Sequence, residues 1–328
     1  MARVLVTGAG GFIGAHLVRL LRERGEWVRG VDIKQPEFAA SAAHEFLVRD
    51  LRQQEACAEA VDGIDHVYHF AANMGGIGYI TAVAAPLMHD NVLMDAHMLE
   101  AARHAHVERF FYASSACIYP TFRQDASDSP ALREDEAYPA DPDNEYGWEK
   151  LYVERMCAAY ANEYGMTIRV GRMHNVYGPE GAYDGGREKA PAALARKVAQ
   201  ARDGDELEIW GDGQQTRSFC YVDDAIEGAY RLLHSDVTVP VNIGSSRLVT
   251  IDELADILLS IAGKQVTKRH LLDKPQGVRG RNSDNTLVRS LLSWEPSTSL
   301  EDGLAATYRW VAAQIEARET ATIEVSTS

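Results

Sequence analysis

The stretch Arg3-Val4-Leu5-Val6-Thr7-Gly8-Ala9-Gly10-Gly11-Phe12-Ile13-Gly14 decides the fold. Its first five residues form a short apolar run, the pattern of a strand covered on both faces. Glycines follow, and from Gly14 to Arg24 apolar residues recur at intervals of three and four, as in an amphipathic helix. A strand that turns through glycines into a helix suits a diphosphate, because the first helical turn offers unpaired N–H groups and partial positive charge. The spacing is GxxGxxG. Gly8 permits the tight turn, Gly11 lets backbone approach the pyrophosphate beside Phe12 and Ile13, and Gly14 lets helix and strand pack closely.

Moving outward, Asp32 ends a second predicted strand, Trp27 to Asp32, 18 residues after Gly14. A carboxylate there accepts hydrogen bonds from adenosine ribose hydroxyls and repels a 2′-phosphate, so the expected cofactor is NAD rather than NADP. After the third predicted strand, Asp50 and Leu51 are placed to meet the adenine amino group and ring face. Ala71 and Ala72, after the fourth, complete the expected cofactor contacts. Strands are predicted at Glu45 to Val48, His66 to Phe70, Arg109 to Ala113 and Thr167 to Arg172, with long helices at Ala84 to His104 and Glu145 to Tyr164 between them. This alternation implies an α/β protein with a Rossmann-type, doubly wound parallel sheet.

The alternation loosens at Tyr177 to Lys189, a Gly- and charge-rich loop long enough to cover a substrate. Beyond it the sequence predicts a smaller C-terminal substrate-binding lobe, with helices at Ala190 to Ala201, Asp223 to His234 and Ile251 to Ala262, and a strand at Glu206 to Trp210. The expected division is 1–176 for the NAD-binding domain, with segments near 215–245 such as Val241 to Ile243 returning to it. The lobe then occupies mainly 177–318, and 319–328 is expected to be a disordered tail.

Composition narrows the partners. Asp and Glu outnumber Lys and Arg 48 to 33, and a net charge of -15 disfavours nucleic acid. An anionic substrate must then be held by individually placed cations. Four cysteines, Cys57, Cys117, Cys157 and Cys220, show neither metal-ligand nor disulfide spacing, so no metal is expected and the compartment reads as reducing. The chain passes from Met1 straight into a strand pattern, and no apolar run approaches the roughly 18 residues a membrane helix needs. A cytoplasmic protein without a membrane partner is the expectation.

Tyr146-Gly147-Trp148-Glu149-Lys150 spells YxxxK near a helix start, which puts both named side chains on one face. A cation one turn away favours a phenolate, as does an oxidised nicotinamide, so Tyr146 is a candidate acid/base. Ser115 lies just beyond the strand Arg109 to Ala113, where ligands of open parallel sheets bind, and can donate a hydrogen bond to a substrate oxygen. Cys117, on the residues alone, reads as a small buried thiol, and Lys189 as a loop charge.

The glycine loop, Asp32, Ser115, Tyr146 and Lys150 together resemble the extended short-chain dehydrogenase/reductase family over almost the whole chain. The segments Ala72 to Gly78 (ANMGGIG), Tyr112 to Pro120 (YASSACIYP), Gly185 to Ala193 (GGREKAPAA), Trp210 to Phe219 (WGDGQQTRSF) and Gly277 to Asn285 (GVRGRNSDN) resemble its GDP-mannose 3,5-epimerase group. That resemblance implies a GDP-mannose substrate, transient oxidation at C4, and inversion at C5 and C3 with Cys117 as base and Lys189 as opposing acid. It also implies substrate contacts at Gly75, Ser115, Asn175, Glu188, Lys197, Gln215, Arg217 and Arg281, and a homodimer built on the two long helices. The alternatives are a nucleotide-sugar 4-epimerase or 4,6-dehydratase, and, outside enzymes, an NAD-binding sensor. A dehydratase usually carries carboxylates where this chain has Ala116 and Cys117, and a sensor has no need of Tyr146, Lys150, Ser115, Cys117 and Lys189 together.

Overall fold

The computed structural model describes residues 1–327, with side chains through 320. In its first half, strands β1 (Arg3–Thr7), β2 (Trp27–Asp32), β3 (Glu45–Val48), β4 (His66–His69), β5 (Arg109–Ser115) and β6 (Ile168–Met173) alternate with helices. These are α1 (Phe12–Glu23), α2 (Gln54–Val61), α3 (Ile77–Ala82), α4 (Ala84–His104) and α5 (Glu145–Tyr164). A short strand β7 (Val176–Tyr177) leads into the irregular loop before α6 (Ala190–Gln200). Then come β8 (Glu206–Trp210), β9 (Thr216–Arg217), β10 (Cys220–Tyr221), α7 (Val222–Leu233) and β11 (Val241–Ile243). The chain ends through β12 (Val249–Thr250), α8 (Ile251–Ala262), β13 (Thr267–Leu271), β14 (Gly280–Arg281), α9 (Thr286–Leu292) and α10 (Leu300–Thr327).

Seven strands form the main sheet in the order β11-β6-β5-β4-β1-β2-β3, and every neighbouring pair is parallel. Alternation along β1 shows how the sheet is buried on both sides. Val4 and Val6 face a core with Leu17, Val18 and Leu21 of α1 and Ala225, Ile226 and Ala229 of α7. Leu5 faces the opposite core, with Cys57 of α2, Met98 of α4 and Val153 of α5. Adjacent Phe110 and Phe111 are both fully buried, one in each core; truncating either to Ala costs about 3–5 kcal/mol.

A third core joins α6, α8 and α10 to β8, through residues such as Leu194, Ile209, Leu254 and Leu304. β8 pairs with β13, whose sequence Thr-Lys-Arg-His-Leu is largely exposed and lacks the alternation that would betray a strand. Val241–Ile243 crosses back from this region to become the outer strand β11. The expected tail, 319–328, falls mostly on residues whose side chains are not described: α10 is Leu300–Thr327, and Ser328 and the side chains of 321–328 lie outside the described residues. β3 and β4 flank β1–β2 on opposite sides, so the chain reverses between β1 and β4. A crevice opens there at the carboxyl ends of the strands.

Candidate active site

The crevice is a cavity of about 580 Å³ lined by Gly8, Gly11, Phe12, Ile13, Gly14, Asp32, Asp50, Leu51, Ala71 and Ala72; Tyr146 and Lys150, also expected at the cofactor, are not among its lining residues. The protein's own packing requires two of the glycines. A Cβ on Gly14 would sit 2.1 Å from the Gly8 carbonyl oxygen, and one on Gly10 2.1 Å from that of Lys34. Gly11 caps α1 with no side chain on the helix N–H groups, and a Cβ there would meet only the Gly8 oxygen, at 3.3 Å, leaving its other side to the crevice. That is an open anion cradle of the kind a dinucleotide pyrophosphate fills.

Asp32 accepts from Gly10 N at 3.0 Å and Lys34 N at 3.3 Å, which fixes its carboxylate at the crevice edge. Burial pushes its pKa up, partly offset by those backbone donors. Lys34, two residues on, pairs with Glu37 at 3.5 Å. Asp50 is more committed than the sequence suggests. Arg52 grips it with bonds of 2.7 and 2.9 Å and also reaches Asp90, so an adenine amino group would share that carboxylate with a guanidinium.

Tyr146 and Lys150 lie on the buried face of α5, but they do not touch through a hydrogen bond. Lys150 Nζ donates to Tyr112 Oη at 3.0 Å and Asp95 Oδ2 at 3.4 Å, and stands 5.8 Å from the Tyr146 ring centre. Burial raises the Tyr146 pKa, and the through-space pull of Lys150 offsets this only in part. The phenolate that the YxxxK spacing suggests therefore needs further positive charge in the crevice, such as an oxidised nicotinamide.

β5 runs two residues further than its sequence suggests and delivers Ser115 to the N-cap of a 3₁₀ turn, Ala116–Ile118. Ser115 Oγ accepts the Cys117 N–H at 3.1 Å, so its own hydrogen is free to point at a ligand. The turn rests on α5 because residue 147 is glycine, where a Cβ would lie 2.2 Å from the Cys117 carbonyl oxygen. Cys117 thereby joins a cluster with Tyr146, Met74, Ile77 and Tyr79. Its sulfur receives Arg281 Nη1 at 3.1 Å. Arg281, an expected substrate contact, is 6% exposed and spends its other donors on Gln124 and, at 3.3 Å, on Asp143.

Lys189 ends the irregular loop as N-cap of α6 and lines the crevice. Among the described residues no hydrogen bond or ion pair holds its ammonium. Burial pushes its pKa down, and the charge that opposes this is Cys117. Arg187 fastens the loop to the opposite wall, with Nη2 2.5 Å from Tyr79 Oη, its guanidinium 4.0 Å above that ring, and its carbonyl taking the Gly76 N–H at 3.0 Å.

The remaining expected substrate residues divide. Gly75 lines the same crevice. Among the described residues Arg217 donates to the carbonyls of Thr216 and Gln276 alone, and burial with neighbouring Arg281 disfavours its charge, partly offset by Asp143. A guanidinium keeps its proton, so the cost appears as an uncompensated cation. Lys197 meets only the Glu208 carbonyl, at 2.9 Å, and burial lowers its pKa too. Gln215 is 5% exposed and its Oε1 has no partner, while its Nε2 holds the Trp210 carbonyl. Asn175, in left-handed backbone at φ 43°, donates to the Ser218 carbonyl. Glu188 is occupied by Gly186 N and by Arg196, and so braces the loop. Among the described residues no group of three or more metal-ligating side chains occurs, and no helix is long and apolar enough to cross a membrane.

Comparison with known proteins agrees with this geometry. Residues 4–244 match the model of the NAD dependent epimerase/dehydratase family. The chain is 46% identical over 326 residues to GDP-mannose 3,5-epimerase 1 of Oryza sativa subsp. japonica, covering 99% of this chain and 85% of that one. It is 44% identical to GDP-mannose 3,5-epimerase of Arabidopsis thaliana, covering 99% and 86%. The fold is similar to that of UDP-glucose 4-epimerase with UDP-glucose from Thermotoga maritima, with a TM-score of 0.86 and 26% identity over 95% of this chain and 99% of that one. With a family model spanning residues 4–244 and relatives 44–46% identical over nearly its whole length, the chain belongs to the NAD dependent epimerase/dehydratase family.

Proposed function

We propose that this protein is an isomerase that converts GDP-α-D-mannose to GDP-L-galactose, and to GDP-L-gulose, by epimerisation at C5 and C3. The observation that carries the reading is the position of Cys117, a thiol packed beside Tyr146 and hydrogen-bonded by Arg281, whose charge would favour the protonated form of Lys189. A 4-epimerase has no use for an extra acid/base pair flanking the sugar. The 46% identity to the rice protein of that name supports the same substrate.

NAD, held by the Gly8–Gly14 loop and Asp32, supplies a reversible two-electron acceptor at C4. Tyr146 takes the C4 hydroxyl proton and Ser115 donates its hydrogen bond to the same oxygen. The carbonyl so formed acidifies the protons on C3 and C5. Cys117 removes one of these protons, and Lys189, from the other face of the ring, returns one to the same carbon with inverted configuration. Arg281 donates to the sulfur, an interaction stronger with a thiolate than with a thiol. When C4 is reduced again, Tyr146 returns its proton and the cofactor is unchanged overall. Arg217 and Lys197, partly desolvated cations that make no ion pair among the described residues, are the groups we assign to the diphosphate.

The same reading makes the enzyme cytoplasmic and homodimeric. Four unpaired cysteines suit a reducing compartment, and Trp148 and Tyr152, one turn apart on α5 and 43% and 53% exposed, offer an apolar face to a second copy. The test of the reaction is incubation with GDP-mannose and NAD in deuterated water, followed by NMR of the sugar. Deuterium at C5 and C3 is expected. Label confined to C6, or none on the ring, overturns the assignment.

A further inference from the structure

Two buried carboxylates, Asp95 on α4 and Glu149 on α5, flank the Lys150 ammonium, and donors are shared between them unequally. Asp95 Oδ1 meets His69 Nε2 at 2.7 Å, and Oδ2 takes the Tyr112 hydroxyl at 3.2 Å as well as Lys150. Among the described residues Glu149 accepts from Asn91 Nδ2 at 3.1 Å, its Oε1 lies 3.6 Å from Lys150 without a hydrogen bond, and its carboxyl interacts directly with that of Asp95. Three donors converge on one carboxyl and one on the other. The negative charge therefore belongs on Asp95 and the proton on Glu149.

The tautomer of His69 is fixed in the same way. Thr7 Oγ1 receives the N–H groups of Phe70 at 3.1 Å and Ala71 at 3.0 Å, which occupies both lone pairs. Its own hydrogen then goes to His69 Nδ1 at 2.8 Å, so the ring carries its hydrogen on Nε2, toward Asp95. Thr7, His69, Asp95 and Lys150 are each 2% exposed or less, so no solvent stands ready to replace a missing member.

We propose that Asp95 is a positioning residue for the reaction: it holds the Lys150 ammonium beneath Tyr146 and, through His69 and Thr7, fastens that ammonium to the Phe70–Ala71 backbone lining the dinucleotide crevice. Lys150 acts on Tyr146 through space, so whatever fixes the ammonium fixes its effect on the phenol. Tyr146 faces Lys150 and Glu149 from its own helix, Asp95 from α4 and Cys117 from the 3₁₀ turn; Lys150 favours the phenolate and the other three favour the phenol. Asp95 also favours the protonated form of Lys150. One carboxylate thus bears on both members of the pair, and on the wall against which the cofactor lies.

The proposal rests on Tyr146–Lys150 being the acid/base pair, and the test uses full-length enzyme with NAD and GDP-mannose. Asp95→Asn keeps the size and removes the charge. Expected are a kcat loss of about tenfold or more with KM changed less than about twofold, both limbs of the pH–kcat profile displaced to lower pH by about 0.5 unit or more, and a Kd for NAD, from calorimetric titration of the apoenzyme, weakened about threefold or more. A folded variant whose pH limbs coincide with those of the wild type, or whose NAD affinity is unchanged, overturns the proposal. If Asp95→Asn does not fold, His69→Gln decides. It keeps the Asp95 charge and cuts the span to Thr7, so NAD affinity falls while the pH limbs stay, and unchanged affinity again overturns it. The two readings fail differently: turnover retained in Tyr146→Phe sinks the acid/base pair, whereas an inactive Tyr146→Phe with unmoved limbs in Asp95→Asn sinks the role of Asp95 alone.

Discussion

Around Lys150 the buried cation has its counter-ion Asp95 and a bond to Tyr112, whereas among the described residues Lys189, Lys197 and Arg217 make no ion pair and hydrogen-bond only to carbonyls or not at all. Lys150 is fully buried and the other three are only partly so, yet it is the deeper cation that has the counter-ion. A compensated cluster resists movement and suits a group whose position decides a proton's affinity. An uncompensated one stores an electrostatic penalty that an incoming diphosphate relieves, so stability is given up for binding.

The largest effect that tests this contrast is on turnover. Tyr146→Phe should lower kcat by about 10²–10⁴-fold, the span of general acid–base catalysis, with calorimetric NAD affinity spared. Turnover near the wild-type rate would remove the compensated cluster from the chemistry.

Next comes a divergence in stability. Lys150→Met leaves Asp95 as a lone buried anion and should cost about 3–5 kcal/mol in urea unfolding. Arg217→Met should leave stability level or raise it, while weakening GDP-mannose binding roughly 10- to 100-fold, the equivalent of about 1.5–3 kcal/mol for hydrogen bonds to a charged group. Equal losses of stability in the two variants would erase the distinction.

A smaller, pH-dependent signature comes from Lys189 and Lys197, whose pKa values burial lowers from the ordinary lysine value. The unfolded chain holds more protons than the native one between the lowered and the ordinary values, so stability rises with pH across that window and is lost as pH falls through the lowered values. A bound diphosphate raises both again. Binding should therefore take up protons in the window, visible in calorimetry as a dependence on the buffer's ionisation enthalpy; proton release would contradict the assignment. The smallest effect is expected at Glu149. Burial and Asp95 hold its carboxyl well above the usual range, so Glu149→Gln should change kcat by less than about threefold near neutrality.

The sequence makes the compensated site half legible. The glycine loop, Asp32, Ser115, Tyr146 and Lys150 can be read because each sits at a fixed offset from a strand or helix end, where local geometry determines its direction. Asp95 left a fainter trace, being four residues after Asn91 on a helix face otherwise made of Leu87, Met94 and Met98. A polar pair in an apolar stripe signals a buried network without naming its partners. Nothing local links Arg281 to Cys117, 164 residues apart, and the family resemblance pointed Arg281 only toward substrate. Lys189 was legible as a candidate but not as a bare cation, since lack of a partner is a property of the assembled fold. The main sheet was legible because its strands are short apolar runs, while β13 was not, because both its faces are largely polar and exposed.

The return of β11 to the main sheet bears on attempts to shuffle these parts between enzymes. A gene fragment stopped at residue 176 would lack α7 and the strand beside β6, baring the apolar side chains that α7 covers and a row of unpaired peptide groups along Gly171–Met173. Such an edge recruits other chains, so the cofactor half expressed alone should aggregate. Recombination that keeps 1–244 together and exchanges only the remaining C-terminal segment respects the way the chain is woven.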